Sequence, residues 1–402
     1  MKIPATRDEA LDRLQDFVGV SGRYSRDRNH VVPGHGNVSY LSAAIRHRLV
    51  TEWEVAAAPL ARYAASTVEK FTQEVYWRSY WKGWLSSRPQ VWREYLEGVA
   101  EHPGAEKIRK GEGPVAVMNG FARELTESGY MHNHARMWFA AYWVHVARLP
   151  WQLGAQFFQD HLLDFDPAAN TLSWRWVAGW QTPGKTYLPR RGNIEKYLHP
   201  DLLESGGLQG LENPVALIPE EVGKPAVTRV DLPENDLPDE GFVLWIHEED
   251  LHPESSPLGG LKPSKIVVTS DVEGKSVLQK EWLGKALDDA AERAGKYFGV
   301  PVERARSRAK GGGPYDSLVN WAGENGVTKV VGLRPEVGPL HDLIPSIEAA
   351  GVALNLVVRP EDRYLRAFAT AGFFGFWKKL QGRMAKGEFP LDEKLGGRGM
   401  LL

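Results

Sequence analysis

The 402-residue chain contains no cysteine, which excludes disulfides, thiol nucleophiles and any cysteine-ligated iron–sulfur cluster. It lacks any run approaching the roughly 18 apolar residues that span a bilayer, although 43% of its residues are hydrophobic and can build sizeable cores. The N-terminal MKIPATRDEALDRLQDFV carries acids early and no apolar stretch, so no secretory leader and no membrane association are expected, and a cytoplasmic location is. No GxGxxG follows a strand-like run, and no phosphate-cradling GxxxxGKS/T occurs. Gly311-Gly312-Gly313 precedes a helical pattern and reads as a flexible loop.

A large excess of either charge is lacking as well, since 49 Lys+Arg against 51 Asp+Glu leave a net value of −2. Its distribution is uneven, however. Residues 1–200 hold 25 Lys+Arg against 20 Asp+Glu, whereas the remainder holds 24 against 31. Nine of the 12 His and 11 of the 15 Trp also lie in the first 200 residues. A mildly basic, ring-rich half suits nucleic acid, because cations neutralise phosphates while rings stack on bases. A Trp-rich core is the alternative that composition leaves open.

Periodicity divides the chain. EALDRLQDFV, SYLSAAIRHRLV, STVEKFTQEVYWRSYWKGWL, VMNGFARELTESGY, NHARMWFAAYWVHVARL and GAQFFQDHLL repeat apolar residues at helical spacing, with turn signals VVPGHGN, AEHPGAEK, GEGP and FDPAAN between them. Residues 1–200 are therefore expected to be all-helical. Residues 201–240, rich in Gly, Pro and acids, read as a linker. From 241 to 402 the short runs FVLWI, KIVVT, KVVGL and ALNLVV alternate with helical patterns, which predicts a doubly wound parallel sheet of α/β type. RYLRAFATAGFFGFWKKLQGRM is expected to close the chain as one helix.

Three segments carry chemistry. LLDFDPAANTLSWRW sets Asp164 and Asp166 at the start of a loop that ends with Asn170, Trp174 and Trp176; an Asp before Pro is also a helix cap. No His or third acid stands at ligand spacing, so no metal is expected. GYMHNHARMW places Asn133 and Arg136 on one helix face, with Arg136 able to pair with Asp164. FTQEVYWRSYW puts Glu74 and Trp77 on the same face of a helix, next to Arg78.

Together these segments resemble the photolyase/cryptochrome family. Its cyclobutane-dimer photolyases carry E-x-x-W-R, then M-H-N-x-x-R-M, then D-x-D-x-A-A-N-x-x-x-W-x-W, and Glu74–Arg78, Met131–Met137 and Asp164–Trp176 follow that order. RYSRDR and GNVSYLSAAI resemble the family's Tyr-containing entry and flavin-phosphate loop. The resemblance covers roughly residues 8–180. It implies a photolyase-type helical FAD-binding domain followed by a Rossmann-like antenna domain, an order permuted from the usual one because GFVLWIHEEDLHPESSPLGG resembles that domain's first strand.

The resemblance further implies FAD, with no motif that fixes a second, antenna chromophore. Tyr24, Ser39, Leu41 and Ser42 would hold the phosphates, with Val38 and Tyr40 in the same loop as departures from the usual residues. Phe71, Glu74, Arg78, Tyr130, Asn133, Arg136, Asp164, Asp166 and Asn170 would surround the cofactor. Trp174 and Trp151 match the first two tryptophans of a photoreduction chain; the third is left among Trp84, Trp92 and Trp143. On the substrate side, Trp77 and Trp176 match aromatic walls for a flipped-out dimer, Glu74 its hydrogen-bonding acid, and Met137 and Asn133 further contacts. Asn133 replaces the histidine of 6-4 photoproduct enzymes and favours cyclobutane dimers. His134 replaces an Arg that meets DNA in relatives, and Lys185, Arg190 and Arg191 could contact a backbone. DNA containing pyrimidine dimers, with single strands preferred, is thus the expected partner, and no obligate protein partner is evident. A blue-light sensor with the same FAD and no repair is the alternative, and a light-independent flavin or nucleic-acid binder is a third.

Overall fold

The computed structural model describes residues 2–182, 184–203, 207–220, 222–230, 232–269, 275–305 and 316–384; Gly311–Gly313 lie outside them. Helices occupy the first part of the chain. The longest, Ala65–Ser86, buries Val68, Phe71, Val75, Tyr76 and Tyr80 along one side, the three/four spacing that makes an amphipathic helix pack. Asn133–Ala141 continues into a π turn, Tyr142–Val146.

Several local expectations are corrected. The stretch after Asp166 is a helix, Pro167–Val177, rather than a loop. Asp166 is its N-cap, accepting from the Ala169 N–H at 2.8 Å, and Pro167 fills the first helical position, where a missing N–H costs nothing. AEHPGAEK likewise opens a helix at Pro103–Arg109. The SYLSAAIRHRLV pattern yields only Ser42–Arg46. The closing helix is two, Pro360–Arg366 and Phe373–Met384, separated around Gly372.

Five parallel strands follow: β1 Val243–Ile246, β2 Lys265–Val268, β3 Val302–Arg304, β4 Lys329–Leu333 and β5 Ala353–Val357, in the order β3-β2-β1-β4-β5. The three-residue β3 carries too little apolar signal to be read from sequence. Alternate residues serve two faces. Leu244, Ile246, Ile266, Val268 and Val331 join a core shared with Val277–Phe298 and the helical part, while Trp245, Val267 and Val330 pack under Asp316–Glu324 and Pro339–Ala349. Burial on both faces is why these strands read as continuous apolar runs.

The carboxyl ends of β1 and β4 mark the point where the strand order reverses, and the helical part is seated there. Arg46 reaches Glu249 with both guanidinium nitrogens at 2.7 and 2.5 Å. Arg48 contacts Asp250 and Asp362 at 3.1 and 2.5 Å. The Trp282 indole donates to the Pro4 carbonyl, and Gln279 donates to the Leu162 carbonyl. The Gly/Pro-rich stretch is laid along the surface: Thr228 N–H bonds Ser87 O, Leu217 N–H bonds His145, and Asn235 bonds Val358 O.

A candidate cofactor and substrate cavity

One cavity of about 850 Å³ opens in the helical part, within the range of pockets that enclose cofactor-sized ligands. Tyr24, Val38, Ser39, Tyr40, Ser42, Phe71, Glu74, Trp77, Arg78, Tyr130, Asn133, Arg136, Met137, Asp164, Asp166, Asn170, Trp174 and Trp176 line it, so residues far apart in sequence converge. Two expected residues do not. The Leu41 side chain is fully buried in the core, and its N–H faces the Ser39 hydroxyl at 3.4 Å. Trp151 lies deeper, 5% exposed.

The loop at one end is shaped by Arg13, whose guanidinium holds the Ser39 and Val38 carbonyls at 2.7 Å each. Tyr40 adopts φ +60°, a left-handed conformation costly for a bulky residue, and its ring stacks on Tyr130 at 4.5 Å.

The carboxylates form the charged floor. Burial pushes the Asp164 carboxyl up, but Arg136, the Ser42 hydroxyl and Arg78 outweigh it and hold the group below the ordinary range. Arg136 reaches Asp164 Oδ2 at 3.0 Å, the pairing that the helix spacing anticipates. Asp166, 2% exposed, faces Arg78, Lys82 and Arg46 at 3.4, 3.7 and 3.9 Å. Burial would raise it, yet these cations bring it down to about 2. Asn170 donates its amide to the Ala155 carbonyl at 2.9 Å and lines the cavity.

On the other wall, Glu74 receives Arg28 Nε at 3.2 Å. Desolvation by the surrounding walls raises its carboxyl, with Arg28 opposing. Trp77 is stacked face to face on Phe373, centroids 3.6 Å apart and planes 9° from parallel. Trp176 packs on Tyr187 at 5.7 Å. Ala371, Gly372, Phe373 and Phe374 thus border the cavity from the far end of the chain; their apolar pattern announced a helix but gave no sign of this placement. His132, Phe158, Gln181 and Thr182 line it as well and were not singled out in the sequence, and His134 joins them. His134 turns inward, bonding the Asn29 carbonyl at 2.7 Å. Lys185, Arg190 and Arg191 are exposed, Arg191 being engaged with Glu195 at 2.7 Å. Among the described residues, no group of three acids or histidines could hold a metal, and no helix is long and apolar enough to cross a membrane.

Comparison with known proteins bears on the helical part. Residues 71–197 match the family model of the FAD binding domain of DNA photolyase. A deoxyribodipyrimidine photo-lyase of Agrobacterium fabrum is 28% identical over 181 residues, 42% of this chain and 37% of its own. The Escherichia coli protein of that name is 25% identical over 203 residues, 46% and 41% of the two chains. A cryptochrome DASH of Idiomarina loihiensis is 32% identical over 91 residues, 23% and 20%. The crystal structure of a bacterial class III photolyase from Agrobacterium tumefaciens aligns with TM-score 0.42 at 24% identity, covering 48% of this chain and 42% of that one. The chain spans about two fifths of the length of the first curated relatives it matches. The residues present fit FAD: the buried Asp164 Oδ1 has no hydrogen-bond partner in the protein, a cost of about 1–3 kcal/mol that a bound hydroxyl or ring N–H would remove.

Proposed function

We propose, from the premise that the helical part is an FAD-binding domain of the photolyase/cryptochrome family, that this protein repairs cyclobutane pyrimidine dimers in DNA under light. One observation carries the proposal. Glu74, Trp77, Trp176, Asn133 and Met137 share a single cavity with the carboxylates and amide of the cofactor side, so a substrate and a flavin would be held within one enclosure.

Reduced FAD, when bound, supplies one electron on absorbing near-UV or blue light and takes it back, so the cycle has no net redox change. The protein does the rest. Asp164, Arg136, Arg78 and Asn170 would hold the cofactor, with Tyr24, Ser39, Ser42 and the Leu41 N–H toward its phosphates. Trp77 and Trp176 would flank the extruded dimer, which leaves the stack at lower cost than a paired base. Glu74, its carboxyl pushed upward by desolvation, would hydrogen-bond the dimer and stabilise the charge that develops there. Arg28 restrains that carboxyl from the opposite side.

The strand preference follows from charge. His134, bonded to the Asn29 carbonyl, stands where the resemblance implies a DNA-contacting Arg, and the loss of that cation favours single-stranded or locally open DNA over intact duplex. Equal repair of both would refute that part.

Light-dependent recovery of thymine absorbance in UV-irradiated oligothymidylate, lost in Trp77→Ala and Glu74→Ala, is the expected result for the FAD-loaded protein. Absence of recovery in a protein whose FAD photoreduces would overturn the repair proposal. A light-sensing role would then stand, and one observation favours it: Phe373 already covers a face of Trp77.

A further inference from the structure

We infer that the helix Phe373–Met384 is a stacking platform for single-stranded DNA at the cavity mouth, with Phe374 taking a base beside the extruded dimer and Lys378 a phosphate. The inference rests on the DNA-repair reading for its substrate and adds a strand-selecting element from the far end of the chain.

Phe374 is 71% exposed, the highest fraction for any large hydrophobic among the described residues. A single ring in water is ordinary; its surroundings here are not. Phe374 borders the cavity together with Gly372 and Phe373. Phe373 is buried and stacked on Trp77, and the two phenylalanine rings meet edge to face at 5.8 Å. A Cβ at Gly372 or Gly375 would meet nothing within 4 Å, so the chain on either side of Phe374 leaves the ring open space.

The platform is anchored. The Tyr80 hydroxyl donates to the Ala371 carbonyl at 2.6 Å, and the Trp377 indole N–H donates to Glu69 at 3.1 Å. Phe376 packs on Tyr80 at 5.5 Å. These contacts pin the helix to Ala65–Ser86, which carries Glu74 and Trp77. A ring on a fixed element loses little freedom when a base stacks on it, which keeps the cost of binding low.

Charge points the same way. Residues 201–402 hold 24 Lys+Arg against 31 Asp+Glu, yet Phe373–Met384 contains Lys378, Lys379 and Arg383 and no acid. Lys378 is exposed and follows Phe374 by four residues, on the same helix face. Lys379 leans over the Phe368 ring at 5.9 Å. Glu69, the acid that this helix does meet, is taken up by the Trp377 and Gln381 N–H groups. Rings that stack on bases beside cations that neutralise phosphates hold single strands without reading their sequence. A duplex base next to the dimer stays paired to the opposite strand and cannot swing to the ring. An unpaired base can, so the contact adds affinity for single strands and little for duplex.

The test is fluorescence anisotropy of end-labelled oligothymidylate, UV-irradiated and untreated, single-stranded and annealed to oligoadenylate. It is run in the dark across a salt series, with FAD content measured for every variant. Phe374→Ala should lower the ratio of single-strand to duplex affinity about tenfold, and Phe374→Trp should hold it. Lys378→Ala should flatten the slope of log affinity against log salt on single strands by about 0.7. A ratio in Phe374→Ala within about twofold of wild type would overturn the inference. So would a Phe374→Ala protein that keeps the ratio but loses a self-association seen by sedimentation, which would give the ring to a second copy. Strand binding with the expected pattern but no light-dependent repair would overturn the repair reading and leave the platform standing. Repair with no binding of untreated strands would do the reverse.

Discussion

Removing the Asp166 carboxylate should unfold a large part of the protein's stability margin. Asp166 is 2% exposed and performs two jobs, capping Pro167–Val177 and neutralising Arg78, Lys82 and Arg46. Loss of the cap costs about 1 kcal/mol, and leaving a buried partner charge uncompensated costs about 3–5 kcal/mol. Asp166→Ala should therefore lose about 4–6 kcal/mol, from a total that is about 5–15 kcal/mol for ordinary domains. Arg46 keeps Glu249. Lys82, whose ammonium burial already disfavours, can shed its proton, which holds the loss toward the lower figure. Asp166→Asn keeps a capping side chain and should recover about 1 kcal/mol. The wild type supplies an independent check through pH. Its carboxyl is held down to about 2 against an ordinary 3.8, so its contribution is present above the ordinary value. About 2 kcal/mol is lost as pH falls from about 4 to 2. Guanidinium denaturation of the three proteins, followed by tryptophan fluorescence and circular dichroism, measures these differences. An Asp166→Ala protein within about 1 kcal/mol of wild type would refute the reasoning.

Other outcomes follow from the same geometry. Gly154→Ala drives a methyl into the Trp174 ring and should cost about 1–3 kcal/mol together with the rate of flavin photoreduction, read by stopped illumination and thermal melting. Buried His47 and His132 are both held down to about 3, by burial first and then by Arg46 and His35 respectively. Their folded values lie below the unfolded 6.5, so the stability they contribute is complete above that pH and drains as pH falls toward 3. A denaturation midpoint flat from about pH 7 to 4 would contradict this. Arg28→Ala removes the cation that opposes protonation of Glu74; the alkaline limb of the repair rate should move to higher pH, and an unmoved limb would exclude Glu74 as the group that titrates there.

Much of the site was legible because its residues come in short local patterns. Glu74, Trp77 and Arg78 share one helix, Asn133 and Arg136 another, and Asn170, Trp174 and Trp176 a third that Asp166 caps, so short-range spacing groups the residues of each. Parallel strands were legible for a related reason, since burial on both faces demands continuous apolar runs. Where the sequence misled, a local rule had two outcomes. Asp-Pro marks a turn or a helix start, and Asp166 became a cap because its carboxylate found both the Ala169 N–H and three cations.

Sequence by itself thus determined most of the helices and four of the five strands through periodicity, while the FAD-type constellation was legible through its resemblance to a known family. Only the tertiary structure decided what meets across long separations. Phe373 came to cover Trp77, Asp342 to receive Trp92, and Glu249 to clasp Arg46. No periodicity encodes those contacts, because each depends on how the sheet's carboxyl ends seat against the helices, and that is settled by packing of the shared core.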